Sequence, residues 1–200
     1  MSKPPTSPAR RERYERRREA VVATAAALFA RRGFQATTMD ELSEATGLRS
    51  GGLYHYIGSK QRLLFEICEQ LMDPLLLRAA EIEASSDAPE TQLRALVRAW
   101  LEHVAAHLDH MAVFAQERHA IEAEPEWEQV RASRDAFETI LARRLRAVGK
   151  PDRLTLFALL GMVNHTATWL KPGGRLTAAE IADGYVDMLL SSAPERSGMR

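Results

Sequence analysis

Between Arg49 and Tyr56 the chain reads RSGGLYHY. Ser50, Gly51 and Gly52 are small enough to let a backbone lie close against another surface. Arg49, Tyr54, His55 and Tyr56 supply donors and flat rings beside them. No nucleophile, paired carboxylate or metal set accompanies these residues, so their chemistry is recognition: hydrogen bonds to phosphate oxygens and to the edges of bases. Thr38 upstream, Lys60 downstream and the arginines at positions 10, 11, 13, 16, 17 and 18 extend the same chemistry.

Such a set needs rigid support, and the hydrophobic pattern supplies helices. Apolar residues recur at helical spacing through most of the chain, and runs with strand alternation are absent, which predicts an all-α protein of about nine helices. A first helix places Val22, Ala25, Ala26 and Phe29 on one face and stops at Gly33. Thr38-Met39-Asp40-Glu41 is a capping box opening a short second helix with Leu42 and Ala45 inward, and Gly47 ends it. A tight turn leads to a third short helix from Gly51 to about Tyr56. Two short helices joined by a glycine-containing turn form a helix-turn-helix.

A long fourth helix starts at Lys60, with Leu63, Leu64, Ile67, Leu71 and Leu75 inside and Pro74 expected to bend it. Leu93 to Val104 mark a fifth, Met111 to His119 a sixth, and Pro125 at a first-turn position opens a seventh that runs to Gly149. Leu154 to Trp169 is the eighth. The box Thr177-Ala178-Ala179-Glu180 opens the ninth. The expected organisation is a disordered basic arm over 1–13, a helix-turn-helix domain over 14–60, a larger helical ligand-binding and dimerisation domain over 61–192, and a tail over 193–200.

Net charge is zero, but residues 1–60 carry 11 Lys+Arg against 6 Asp+Glu, while 61–200 carry 16 against 21. A basic head on an acidic body suits a module that binds a polyanion. No apolar run reaches the ~20 residues that cross a bilayer, and no secretory leader is evident, so a cytoplasmic protein without a membrane partner is expected. The single cysteine, Cys68, falls in an apolar helical pattern and reads as a buried structural thiol.

The stretch FQATTMDELSEATGLRSGGLYHYIGSK, Phe34 to Lys60, preceded by an apolar helix ending in RRGF, closely resembles the DNA-binding head of the TetR (tetracycline-repressor-like) family. The resemblance implies a homodimeric, ligand-responsive transcriptional repressor bound to a double-stranded, palindromic operator. It implies that Thr38, Tyr56 and Lys60 hold phosphates, while Arg49, Ser50, Gly51, Gly52, Tyr54 and His55 read bases. Other readings of the same residues stay open: Tyr54 as core, His55 as a solvated side chain, Thr38 as a cap alone. Arg11 and Arg13 either track phosphates or belong to a solvated extension paired with neighbouring glutamates.

In the body, RHAIEAEPEWEQVRASRDAFE and NHTATWLKPGGRLTAAEIADGYVDMLL are similar to TetR-type regulators of fatty-acid and steroid-ring degradation that respond to acyl-CoA thioesters. That similarity implies an effector pocket, and an acyl-CoA as the effector. Trp100, Met111, Phe114, Phe137, Met162 and Trp169 could line an apolar slot. Arg118, Arg134, Lys171 and Arg175 could meet phosphates, or form surface ion pairs. Asn164 and His165 are polar within an apolar helix, so they face either the effector or a dimer seam. The last two helices carry apolar stripes with Gly161 and Gly184 and are expected to form the dimer interface.

His103, His107 and His110 would share a face on a continuous helix, as metal ligands can, but a new helix near Asp109 would divide them, and no metal or cofactor is expected. A multidrug or aromatic-compound sensor of the same fold is the alternative within regulation. A CoA-binding enzyme is the alternative outside it, against which stands the lack of a nucleophile elbow, glycine-rich phosphate loop or zinc-enzyme motif.

Overall fold

The structure, a computed structural model, describes residues 7–119, 127–171 and 173–191. Among the described residues the chain forms nine helices and no strand: α1 (Pro8–Arg32), α2 (Met39–Thr46), α3 (Ser50–Ile57), α4 (Lys60–Ala84), α5 (Pro89–Ala106), α6 (Leu108–Gln116), α7 (Glu128–Ala147), α8 (Arg153–Trp169) and α9 (Ala178–Ser191). Pro125, expected to open the seventh helix, lies outside the described residues.

The first helix begins earlier than its composition suggests. Pro8 sits in the first turn, where a missing amide leaves nothing unsatisfied. The Arg11 amide donates to Ser7 at 2.9 Å, and Arg16 pairs with Glu12 at 2.8 Å one turn apart. Arg10, Arg11 and Arg13 therefore stand on a helix, and the disordered arm expected over 1–13 is corrected for its residues from Pro8 onward. The helix ends as expected at Gly33, whose φ of 85° suits glycine and whose amide donates to Phe29 at 2.7 Å.

Two compact units emerge, and the division does not fall at residue 60. The first comprises Met1–Asp73 with His107–Arg131, and the second Pro74–Ala106 with Ala132–Arg200. Burial explains the first unit. Val22, Ala25, Ala26 and Phe29 of α1 share one core with Leu42, Leu53, Leu63, Leu64 and Ile67, and also with Val113, Trp127 and Val130. The Phe65 and Trp127 rings lie 5.5 Å apart, and Gln116 of α6 donates to the Ala30 carbonyl at 3.0 Å. The three-helix head thus needs the first half of α4, all of α6 and the start of α7 to close its core. Ala45, expected inward, is exposed.

The second unit packs α5 against α8 and α9. Leu93, Leu96, Val97, Trp100, Leu101 and Val104 are all buried along α5, as the periodicity predicts. Arg94 and Arg98 of α5 pair with Asp187 and Asp183 of α9 at 2.6 and 2.7 Å, and Thr166 of α8 hydrogen-bonds Tyr185 of α9 at 2.8 Å. Arg144 of α7 bonds Gln92 and pairs with Glu83. Asp152 caps α8, and Thr177 with Glu180 makes the expected capping box on α9. Among the described residues no helix is long and apolar enough to cross a membrane.

Candidate nucleic-acid interface

The surface begins with a cap. Thr38 accepts the Glu41 amide at 3.2 Å, and the Glu41 carboxylate accepts the Thr38 amide at 2.8 Å, so α2 starts at a fixed point. The backbone hydrogen bond from Thr38, the bond from its hydroxyl and the guanidinium of Arg32 at 2.6 Å hold the Glu41 carboxyl below its usual pKa. At the other end Gly47 takes the left-handed conformation, φ 65° and ψ 23°, that a side chain would resist, and the chain reverses into α3.

Leu42 and Leu53, both fully buried, pin α2 and α3 to the core. Ile57 of α3 is buried beside them, and the opposite face of that helix turns outward. Arg49, Ser50, Gly51, Tyr54 and His55 are exposed, while Gly52 and Tyr56 are half-buried. Tyr54 is 48% exposed, which removes the reading of it as core. A Cβ added at Gly51 or Gly52 would meet nothing within 4 Å. Neither glycine is demanded by the packing of the protein itself.

Lys60 departs from its expected part. Its ammonium donates to the carbonyls of Phe34 and Thr37, each at 2.9 Å, and to Gln35 at 3.4 Å, and lies 4.5 Å from the centre of the Phe34 ring. An ammonium has three donors, and all three are spent on the loop between α1 and α2. The phosphate contact expected of Lys60 is therefore corrected to an internal tie, holding the start of α4 to the loop that ends in the Thr38 cap.

Three side chains of α1 join this surface: Arg17 and Arg18, noted in sequence as part of the basic run, and Tyr14, which sequence reasoning did not single out. Arg17 donates to the Thr46 carbonyl at the end of α2, at 3.3 Å. Arg18 pairs with Glu66 of α4 at 2.9 Å. Tyr14 stacks on Tyr56 at 5.1 Å between ring centroids and meets the edge of His55 at 5.8 Å. The signal was present, since Tyr14, Arg18, Val22, Ala25 and Phe29 follow one another at helical spacing on a single face.

The residues expected to meet an effector divide between the two units. Met111, Phe114 and Arg118 fall in the first unit, the remainder in the second. Phe114 packs against the head core, Met111 is half-buried and Arg118 is exposed. In the second unit Trp100 and Phe137 meet edge to face at 5.0 Å, both buried, and Met162 is half-buried. Asn164, His165 and Trp169, the first two expected to face either the effector or a dimer seam, are exposed on α8. Arg134 pairs with Asp135 and Glu138, while Lys171 and Arg175 are exposed. A cleft of about 320 Å³ in the first unit is lined by Ser59, Gln61, Arg62, Phe65 and Trp127, none of them among the candidates.

His107 caps α6 with non-helical dihedrals after α5 has ended at Ala106, so His103 and His107 do not share a continuous helix. Among the described residues no three His, Cys, Asp or Glu side chains form a metal-binding cluster. Cys68 is fully buried, and burial first, then the nearby carboxylates, pushes its thiol up to about 12, where it is inert at physiological pH.

A capped α2, a left-handed glycine turn and an outward-facing α3 define a helix-turn-helix DNA-binding protein. Comparison with known families agrees: residues 21–67 match the profile of bacterial regulatory proteins of the tetR family, and residues 86–193 match the tetracyclin repressor-like C-terminal domain. The chain belongs to the TetR family of helix-turn-helix transcriptional repressors. It is 30% identical over 182 residues to the HTH-type transcriptional repressor KstR2 of Rhodococcus jostii, covering 87% of this chain and 89% of that one. The solved ketosteroid regulator KstR2 of Mycobacterium tuberculosis superposes with a TM-score of 0.79 at 26% identity, over 87% of this chain and 93% of the other. AibR, solved with isovaleryl coenzyme A and operator DNA, superposes with a TM-score of 0.72 at 30% identity, over 87% and 98%.

Proposed function

We propose that the protein acts as a homodimer that binds a palindromic operator and leaves it on binding an acyl-CoA thioester. The observation that carries the DNA half of this reading is the outward face of α3. Arg49, Ser50, Gly51, Tyr54 and His55 stand exposed on a helix pinned from behind by Leu53. Two glycines that internal packing does not require lie at the end of the helix that leads into a major groove, where they leave room for close approach. Arg10, Arg11 and Arg13, exposed on α1, supply charge for the phosphates. Thr38 can add a hydroxyl contact without giving up its cap, and Tyr56 a phenol.

The dimer half rests on α8 and α9. Leu154, Phe157 and Met188 are 79%, 48% and 61% exposed, and Gly161 and Gly184 are exposed with nothing within 4 Å of an added Cβ. An apolar stripe with small residues permits close helix packing by a second copy, with Asn164 and His165 at its seam. A dimer would set its two heads on half-sites about 34–36 Å apart.

An acyl-CoA is favoured because AibR, similar over 87% of this chain, was solved with such a thioester, and KstR2 is named for ketosteroids. Trp100, Phe137 and Met162, together in the second unit, are candidates to face its acyl group. A ligand can shift the protein between states only by its difference in affinity for them. Titrating short-chain and steroid-ring acyl-CoAs against operator complexes should therefore raise the operator dissociation constant. An acyl-CoA that binds and leaves that constant unchanged defeats the proposal.

A further inference from the structure

We propose that Tyr14 is a positioning residue for base recognition, acting through His55, which it holds together with Tyr56; the inference rests on α3 being the helix that reads DNA. The extension of α1 beyond its core-facing residues touches each of the other head helices through one side chain. Arg17 reaches the end of α2, Tyr14 reaches α3, and Arg18 reaches α4. Of the three, only Tyr14 meets a side chain expected to read a base, His55, as well as Tyr56 beside it.

Its contacts fix planes rather than merely fill space. Tyr14 lies nearly parallel to Tyr56, with 26° between the rings, and perpendicular to His55, while His55 and Tyr56 are themselves edge to face at 5.5 Å. His55 is exposed and Tyr56 half-buried. Without the ring behind them both would sample several rotamers, and a complex would have to order them on binding. A contact that reads one base needs its donor held in a narrow range of position and angle, which a supporting ring provides. Loss of Tyr14 should thus reduce discrimination between sequences more than it reduces attraction to phosphates.

The test starts from a DNA duplex enriched by the wild-type protein from a random-sequence pool, with a scrambled duplex of the same composition as reference. The ratio of the two dissociation constants, read by fluorescence anisotropy, should fall about three- to tenfold in Tyr14→Ala. Tyr14→Leu, which keeps apolar volume but no ring plane, should fall similarly, and Tyr14→Phe should retain the ratio. In a His55→Ala, Tyr56→Ala background, Tyr14→Ala should change the ratio no further. An unchanged ratio in the folded Leu variant, or effects that add in that background, would overturn the role. If the wild type enriches no sequence, the reading of α3 itself falls, and that outcome is separate from any behaviour of the Tyr14 variants.

Discussion

Arg18 of α1 pairs with Glu66 of α4 at 2.9 Å, and Glu66 is only 4% exposed. The pair ties the first helix of the head to the helix that follows α3. Removing the arginine leaves a buried carboxylate without its charge partner. For a fully buried pair that costs ~3–5 kcal/mol; with a quarter of the Arg18 side chain exposed, we expect about 2 kcal/mol for Arg18→Ala in urea unfolding. A change near zero would show that water compensates Glu66.

The opposite substitution should behave differently. Burial raises the Glu66 carboxyl above its ordinary pKa, with Arg18 and then Arg62 working against the rise. The folded state therefore holds this proton more tightly than the unfolded chain does. Its contribution to stability is complete below the unfolded value, about pH 4.3, and is lost as pH rises through the higher folded value. Glu66→Gln removes that loss, so wild type should fall behind the variant as pH increases from 4 to 7. Should the variant instead weaken progressively over that range, the ion pair outweighs desolvation and the sign is reversed.

Lys60 offers a test that separates an internal tie from an external one. Three carbonyls depend on its ammonium. Lys60→Met should destabilise the protein by about 2 kcal/mol, the range of hydrogen bonds to a charged group, with the salt dependence of DNA binding unaltered. A variant of unchanged stability whose affinity falls less steeply with salt would return Lys60 to the phosphate backbone.

Arg11 and Arg13 carry the opposite expectation, being exposed and helical. The double change to Ala should leave the melting temperature nearly unmoved, weaken binding to all sequences alike, and flatten the slope of log affinity against log salt by about 2 for each head. An identical slope would remove them from the interface.

The apolar stripe is tested by charge. Phe157→Glu together with Met188→Glu places carboxylates on exposed positions of α8 and α9, so a monomer should tolerate them. If a second copy covers that stripe, sedimentation equilibrium should show dimer association weakened about 30-fold or more, the scale of lost hot-spot contacts. An unaffected dimer would locate the interface elsewhere.

Much of this protein was legible along the chain because local rules govern helices. The capping boxes at Thr38 and Thr177, the stop at Gly33, the turn at Gly47 and the inward stripe of α5 all depend on residues within a turn or two of one another. Part of the core of the head was likewise readable from Phe29 and Leu42, which fall on inward helical positions, although Ala45, expected inward beside Leu42, is exposed. Long-range packing decided the rest. Lys60 finds its three carbonyls more than twenty residues away, and Tyr14 meets rings forty residues downstream, distances over which no sequence period operates. Periodicity also marks a helix's apolar face without naming what covers it. The sequence by itself thus determined an all-α, helix-turn-helix regulator. The tertiary structure decided that α6 and Trp127 complete the head core, that Lys60 turns inward, and that Asn164, His165 and Trp169 lie on an exposed face, because each depends on which surfaces the fold brings together.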